Sequence, residues 1–314
     1  MENNTTPKTL IEAIRYFADP DTCIQFMIPL RWPEGIVCPR CGSREHSYLA
    51  TRRVWKCKGC KKQFSIKLGT VMEDSPLPLD KWLAGIWMIA NDKNGISSYE
   101  IHRGLGITQK SAWFLLHRIR LAMQTGTFQK LIGTVEADET FVGGKAINMH
   151  KSKREEKIPG TGATGKTAVM GILRRTTEEQ VSQVVATVIP NIRRATVQGE
   201  VRKNVEPGSQ VYTDSLASYN GLAPDYVHKT IDHAVAYVAE RVHTNGMENF
   251  WSLLKRMVKG TYVHVSPEHL TRYVDEEAFR FNKRDKNDGT RFTQTLGGVS
   301  GKRLTYKRLI GKAE

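Results

Sequence analysis

Four cysteines, Cys38, Cys41, Cys57 and Cys60, stand in the pattern C-x2-C-x15-C-x2-C. A two-residue gap lets both thiolates of a pair turn onto one tetrahedral Zn²⁺. Each pair sits in turn chemistry, Cys38-Pro39-Arg40-Cys41-Gly42 and Cys57-Lys58-Gly59-Cys60. Glycine there permits the left-handed backbone that aims amide N–H groups at sulfur. Tyr48, Val54 and Trp55 lie between the pairs, as in a small hairpin. Four sulfurs fill the coordination shell, so the metal is structural, and residues 36–68 are expected to form a zinc ribbon. Two disulfides, which need an oxidising compartment, or four unrelated thiols are the alternative. The polar stretch Met1–Leu10, which carries Glu2, lacks the apolar core of a signal peptide, so secretion by that route is not expected. The fifth cysteine, Cys23, lies close to Phe26, Met27 and Leu30 and reads as a small buried hydrophobe.

The ribbon is basic, and so is the chain. Between Arg31 and Lys67 there are ten Lys and Arg against Glu34 and Glu45. Over all 314 residues, 47 Lys and Arg face 32 Asp and Glu, a net charge of +15. A balance of that sign favours a polyanionic partner. The longest clean apolar run, Trp82–Ala90, has nine residues, well short of the ~20 that a membrane helix needs. No membrane partner is expected, and the composition excludes fibrous and disordered classes.

A helical segment is expected over residues 1–35, and a helix-turn-helix over 76–127. Leu79–Asn91 is helical in pattern and carries Trp82 and Trp87. Ser97 and Ser98 suit the cap of a short helix running to about Arg103, Gly104-Leu105-Gly106 breaks it, and Thr108 suits the cap of a longer helix to about Met123. In the second helix Ala112, Leu115, Leu116, Ile119 and Met123 share one face, and Lys110, Trp113, His117 and Arg120 share the other. A glycine turn followed by a helix exposing basic and aromatic residues fits DNA recognition, with those four as contacts. An ordinary helical hairpin is the competing reading.

From Ile132 the pattern changes to strands, at Thr134–Phe141, Thr167–Leu173 and Val181–Ile189. A helix near Thr196–Asn204 comes next, then the turn Pro207-Gly208 and a strand Gln210–Thr213 ending at Asp214. Strands followed by helices read as a mixed α/β sheet over residues 130–285, with a basic tail over 286–314. Gly160–Thr167 matches the phosphate-binding G-x-x-x-x-G-K-[ST] pattern. That loop works between a buried strand and a helix N-terminus. Here charged residues, His150–Ile158, precede it and a β-like run succeeds it, so a basic loop joining two strands is the better reading. Lys145, Lys151, Lys153, Arg154, Lys157 and Lys166 could then meet phosphate.

Three acids stand out in this half. Asp138 lies within the first strand, with Glu136 and Thr140 on its face, and Asp214 ends another strand. Over His243–Lys259, helical spacing puts Glu248, Ser252, Lys255 and Lys259 on one side and Phe250, Leu253, Leu254 and Met257 on the other. Converging carboxylates suit hard divalent cations, and two such ions can activate the attacking oxygen and stabilise the leaving one at a phosphodiester. Taken singly, an acid at a strand end reads better as an ordinary cap or surface charge.

In combination these motifs resemble the bacterial insertion-sequence transposases of the DDE class, in the subgroup with an N-terminal zinc ribbon. The resemblance rests on the ribbon with Gln63-Phe64-Ser65 and Gly69-Thr70, on Asp138 through Gly144 (DETFVGG), on Thr213-Asp214, and on His243 through Trp251 (HTNGMENFW) with Lys255-Arg256. His264–Asn282 also fits, and the similarity runs from about Asp19 to Arg284. It implies a ribonuclease H-like α/β catalytic domain preceded by the ribbon and the helix-turn-helix. It further implies that Asp138, Asp214 and Glu248 hold catalytic Mg²⁺ or Mn²⁺ as a two-metal site, with Lys255 a catalytic-domain DNA contact and Arg256 beside it. Some members of the subgroup carry Asn at the third position, and Asn245 and Asn249 flank Glu248. An anionic ligand binds Mg²⁺ better, and Glu248 shares a helix face with Lys255, which favours Glu248.

The resemblance implies DNA strand cleavage and strand transfer at terminal inverted repeats. Double-stranded DNA would be the partner, the assembly a homodimer or larger, and the setting the bacterial cytoplasm and its nucleoid. A non-catalytic zinc-ribbon regulator derived from a transposase is the alternative from another class.

Overall fold

A computed structural model describes residues 6–124, 129–143, 165–231 and 243–312. It divides into two compact units, one formed by 1–125 with 286–314 and the other by 126–285. No helix among the described residues is long and apolar enough to cross a membrane.

The first unit opens with helix α1 (Leu10–Tyr16) and helix α2 (Pro20–Arg31). The Asp19 carboxylate caps α2 by accepting from the Thr22 N–H at 2.7 Å, and Pro20 presets the first turn. Cys23 is buried here, its thiol pushed up to about 12 by burial. Strands β1 (His46–Leu49), β2 (Val54–Cys57) and β3 (Gln63–Phe64) form an antiparallel three-stranded sheet. Arg31 ties α2 to it by donating to the carbonyls of Ile66 and Leu68, and the Arg53 Nε–Asp21 pair adds a 2.8 Å link. Helix α3 (Leu79–Asn91) buries Trp82, Leu83, Ile86, Trp87 and Ile89. Helix α4 (Ser98–Leu105) starts at a reciprocal Ser97–Glu100 capping box and ends on Gly106 at φ +60°. Thr108 then caps helix α5 (Gln109–Met123).

The second unit is a five-stranded sheet in the order β6-β5-β4-β7-β8. Its strands are β4 (Thr134–Val142), β5 (Thr167–Arg174), β6 (Gln183–Ile189), β7 (Gln210–Asp214) and β8 (Val227–Ile231). Strands β4, β5 and β6 run antiparallel in sequence, whereas β7 joins β4 and β8 joins β7 in parallel. Helix α6 (Arg194–Asn204) makes the crossover to β7 and covers one face with Val197 and Val201, against Val135, Ala137, Ile172 and Val211. Helix α7 (Asn245–Arg256) and helix α8 (Pro267–Asn282) cover the other, packing Met247, Phe250, Trp251, Leu254 and Tyr273 against Val142, Val169 and Leu173. Alternation along β4 thus sends Val135 and Ala137 one way and Glu136, Asp138 and Thr140 the other. A π-helical turn, Met257–Tyr262, extends α7, and the Tyr262 hydroxyl donates to buried Glu276 at 2.7 Å. The Asn282 side chain completes the edge of β6, accepting from Val184 N–H at 2.7 Å and donating to its carbonyl at 2.8 Å.

The chain then returns to the first unit. Helix α9 (Asp288–Gly297) places Phe292, fully buried, among the rings of Phe17, Phe26 and Trp87. Arg118 donates to the carbonyls of Leu304, at 3.0 Å, and Glu73, and helix α10 (Tyr306–Leu309) sets Tyr306 against Phe114. The described residues of the basic tail are therefore packed into the unit at Phe292, Leu304 and Tyr306.

Other expectations need correction. His117 and Arg120 are buried, at 0% and 1% exposure, so the basic–aromatic face of α5 reduces to exposed Lys110 and half-buried Trp113. Spacing alone assigns that face to solvent, but the middle of α5 is enclosed on every side. Strand β8 is short, polar and largely exposed, and it lacks the apolar alternation by which strands are read. The residues after Asp214 make a short 3-10 turn, Ala217–Tyr219. Thr167 begins a strand, so Gly160–Lys166 does not lead into the helix that a phosphate-binding loop requires. Residues 144–164, with Lys145, Lys151, Lys153, Arg154 and Lys157, lie outside the described residues.

Candidate functional site

The first site is the sulfur cluster. The Sγ atoms of Cys38, Cys41, Cys57 and Cys60 all lie within 4.8 Å of one another, with Cys38–Cys60 at 3.8 Å and Cys41–Cys57 at 3.5 Å. A tetrahedron with Zn–S bonds of about 2.3 Å has edges of about 3.8 Å, so the cluster matches a closed zinc site. The β1–β2 hairpin and the β2–β3 connection bring the two pairs together, with Trp55 stacked on Phe64 beneath. In the first pair Gly42 takes φ +75° as its composition suggests; in the second, Lys61 takes that role at φ +59°. Gly59 is needed for space instead, because a Cβ there would sit 3.1 Å from Ser43 Cβ. The Cys60 backbone N–H donates to Cys57 sulfur at 3.4 Å and pulls its thiol down to about 6, toward the thiolate a metal takes.

The second site is the group of carboxylates on the second unit. The parallel β4–β7 register ends at the pair Glu136–Tyr212, and Asp138 and Asp214 each lie two residues beyond it on their strands. Glu248 is exposed in the first turn of α7, which crosses the same face as Asp138. Burial, then the neighbouring charges of Asp214 and Glu248, raise the Asp138 carboxyl to about 6, although the Trp251 hydrogen bond works against the rise. The charges of Asp214 and Glu248 are therefore felt at Asp138. Among the described residues only the four cysteines bring all their ligand atoms within 4.8 Å, so the three carboxylates are spread more widely than the sulfurs.

Lys255, seven residues after Glu248, lines an adjoining cleft of about 270 Å³ with Lys166, Lys259 and His264 over a floor of Val142, Val258 and Val265. Arg256 is exposed beside it. The expected polar face of α7, Glu248, Ser252, Lys255 and Lys259, is the face turned to solvent.

Several side chains around the acids carry no conspicuous motif. Trp251 Nε1 donates to Asp138 Oδ2 at 2.9 Å. It reaches across Gly171, the β5 partner of Asp138, where a Cβ would fall 2.8 Å from the indole and 2.2 Å from Met247 Cε. A lone glycine in an apolar strand is the signal that marks such an approach. Glu136, 1% exposed, accepts from Arg175 Nε at 2.7 Å and from the Met247 backbone N–H at 3.0 Å. On the opposite face Tyr219 donates to Glu139, whose carboxyl is raised to about 7 by burial.

Two stretches of the chain resemble known protein families. Residues 18–63 match the transposase zinc-ribbon domain, and residues 130–282 match the ISXO2-like transposase domain. An uncharacterised transposase-like protein of Haemophilus influenzae is 34% identical over 101 residues, 32% of this chain and 81% of that protein. An uncharacterised protein in transposable element ISH50 of Halobacterium salinarum is 26% identical over 277 residues, 83% of this chain and 90% of that protein.

Proposed function

The chain belongs to the insertion-sequence transposases that join a transposase zinc ribbon to an ISXO2-like transposase domain, and from that premise we propose that it is an active DDE transposase. It binds the terminal inverted repeats of its element and carries out metal-dependent strand cleavage and strand transfer. One observation supports this most: Asp138 and Asp214 lie on adjacent parallel strands just beyond their last paired residues, and the charges of Asp214 and of Glu248, on a helix crossing the same face, are felt at Asp138. The sheet, antiparallel through its first three strands and parallel through the last two, favours a ribonuclease H-like fold.

The donor set fits Mg²⁺ or Mn²⁺. All three ligands are hard oxygen donors, and a cation relieves the repulsion and desolvation that lift Asp138. Bound there, the metal pair supplies charge neutralisation and an activated oxygen nucleophile. Trp251 holds one oxygen of Asp138. The Leu216 backbone N–H fixes one oxygen of Asp214 at 3.1 Å. Lys255, with Lys166 and Lys259, offers ammonium groups to the phosphates of a strand lying along the cleft.

The ribbon and the α4–α5 pair, a helix-turn-helix in this reading, supply recognition. Lys110 and Trp113 remain its candidate contacts, and the exposed basic residues of the ribbon add phosphate binding. Both ends of an element must be processed together, so the protein works as a homodimer or larger assembly on DNA, in the bacterial cytoplasm at the nucleoid. The test is incubation with Mg²⁺ and DNA carrying the repeats that flank its own locus, with mapping of nicks. Nicks at the repeat ends support the reading; binding without metal-dependent nicks overturns it in favour of a non-catalytic regulator.

A further inference from the structure

We propose that Glu136, locked by Arg175, is the positioning residue that sets the distance between the strand carboxylate Asp138 and the helix carboxylate Glu248. The inference rests on the metal-dependent reading above and names a part of the site which that reading leaves out.

Helix α7 is fastened to β4 at two points. The Met247 N–H donates to Glu136 Oε2 at 3.0 Å, and Trp251 Nε1 donates to Asp138 Oδ2 at 2.9 Å. The two strand residues are two apart, about 6.6 Å along an extended chain. The two helix residues are four apart, about 6 Å along a helix axis. Strand and helix therefore run alongside one another in matched steps, and Glu248 lies between the two fastenings on the solvent side. The Trp251 fastening acts on Asp138 itself. The Glu136 fastening holds the first turn of the helix, the turn that carries Glu248.

The surroundings of Glu136 are built for this. Its other oxygen takes Arg175 Nε at 2.7 Å. The same guanidinium donates to the His243 carbonyl at 2.6 Å and to His243 Nδ1 at 2.9 Å, and its carbon lies 4.7 Å over the Tyr212 ring. Arg175 so grips the chain just before α7 while Glu136 grips its first turn. Gly246 makes the approach feasible: a Cβ there would lie 2.8 Å from Glu136 Oε2. A buried carboxylate placed only for stability would need its arginine, but not a bond to the helix that bears a ligand.

The test compares wild type with Glu136→Gln, Arg175→Lys and Gly246→Ala in full-length protein. Direct Mn²⁺ binding is monitored by electron paramagnetic resonance, and the Mg²⁺ dependence of nicking is measured with DNA affinity and melting temperature. Gly246→Ala changes no charge and replaces glycine by a better helix former, so it tests geometry alone. The expected result is at least a tenfold rise in the metal concentration for half-saturation in Glu136→Gln and Gly246→Ala. Arg175→Lys, which keeps the charge and loses the fork, should fall between them and wild type, with DNA affinity within twofold throughout. Unchanged Mn²⁺ half-saturation in folded Gly246→Ala, or in folded Glu136→Gln, overturns the inference. Failure of the underlying reading looks different: wild type itself would neither bind Mn²⁺ in an Asp138-dependent way nor nick DNA.

Discussion

The indole N–H of Trp251 reaches the Asp138 carboxylate at 2.9 Å because Gly171, the cross-strand neighbour of Asp138, has no side chain in the way. A hydrogen bond from helix to strand and a missing Cβ on the next strand thus fix one arrangement. Gly171→Ala should push α7 off the sheet, since the added carbon would sit 2.2 Å from Met247 Cε. The expected cost is roughly 1–3 kcal/mol of stability, read by urea denaturation, with nicking lost. Trp251→Phe should keep most of the packing and lose the bond, costing on the order of 1–3 kcal/mol. Wild-type stability in both variants would show that the approach is not tight.

Metal removal should act on one unit. A chelator strong enough to strip zinc, or Cys57→Ser, is expected to unfold the ribbon and weaken DNA binding, while the sheet unit keeps its protease resistance. Metal analysis should return one zinc per chain, and undegraded, reduced protein without zinc would contradict the assignment.

Burial of Arg120 changes what its substitution should do. At 1% exposure it is placed to support the unit, so Arg120→Ala should destabilise it by on the order of 2 kcal/mol, lowering affinity for all DNA alike through loss of fold. Lys110→Ala, on the exposed start of α5, should leave the melting temperature unchanged, weaken binding and lower its salt dependence. Loss of base discrimination in a fully stable Arg120→Ala would reverse the two roles.

Most of the architecture is legible in the sequence because its signals are local. The cysteine spacing announces the ribbon, Thr108 and the apolar face of α5 announce that helix, and β4, β5 and α7 carry clear periodicities. The acids Asp138, Asp214 and Glu248 are legible as candidates because each sits in a recognisable motif. What the sequence withholds depends on distant contacts. Helical spacing cannot tell that both faces of α5 are enclosed around His117 and Arg120. The charge of residues 286–314 conceals Phe292, which finds its place only among rings from α2, α3 and Phe17. Glu136 reads as one more strand acid until Arg175 and the Met247 N–H are seen on it.

Two raised acids set a pH dependence. Asp138 is lifted from 3.8 to about 6, and Glu139 from 4.5 to about 7, in each case chiefly by burial. Both hold protons in the folded chain at pH values where the unfolded chain has lost them. Stability of the metal-free protein should therefore fall as pH rises from about 4 through about 7. Added Mg²⁺ should offset that fall increasingly over the same window, because metal displaces the Asp138 proton. Asp138→Asn should melt higher than wild type at pH 8 without metal and gain nothing from Mg²⁺. Thermal melts from pH 4.5 to 8, with and without Mg²⁺, check this, and a Mg²⁺ effect that persists in Asp138→Asn would contradict it.

The central claim is that Glu248 completes the site with Asp138 and Asp214. The measurement that meets it most directly is Mg²⁺-dependent nicking of repeat-end DNA by Glu248→Gln beside Asn245→Ala, with DNA binding measured in parallel. Glu248→Gln keeps the shape and removes the charge, so the account predicts nicking abolished and binding retained, with Asn245→Ala much milder. Nicking retained in Glu248→Gln and lost in Asn245→Ala would contradict it and make the amide the third ligand.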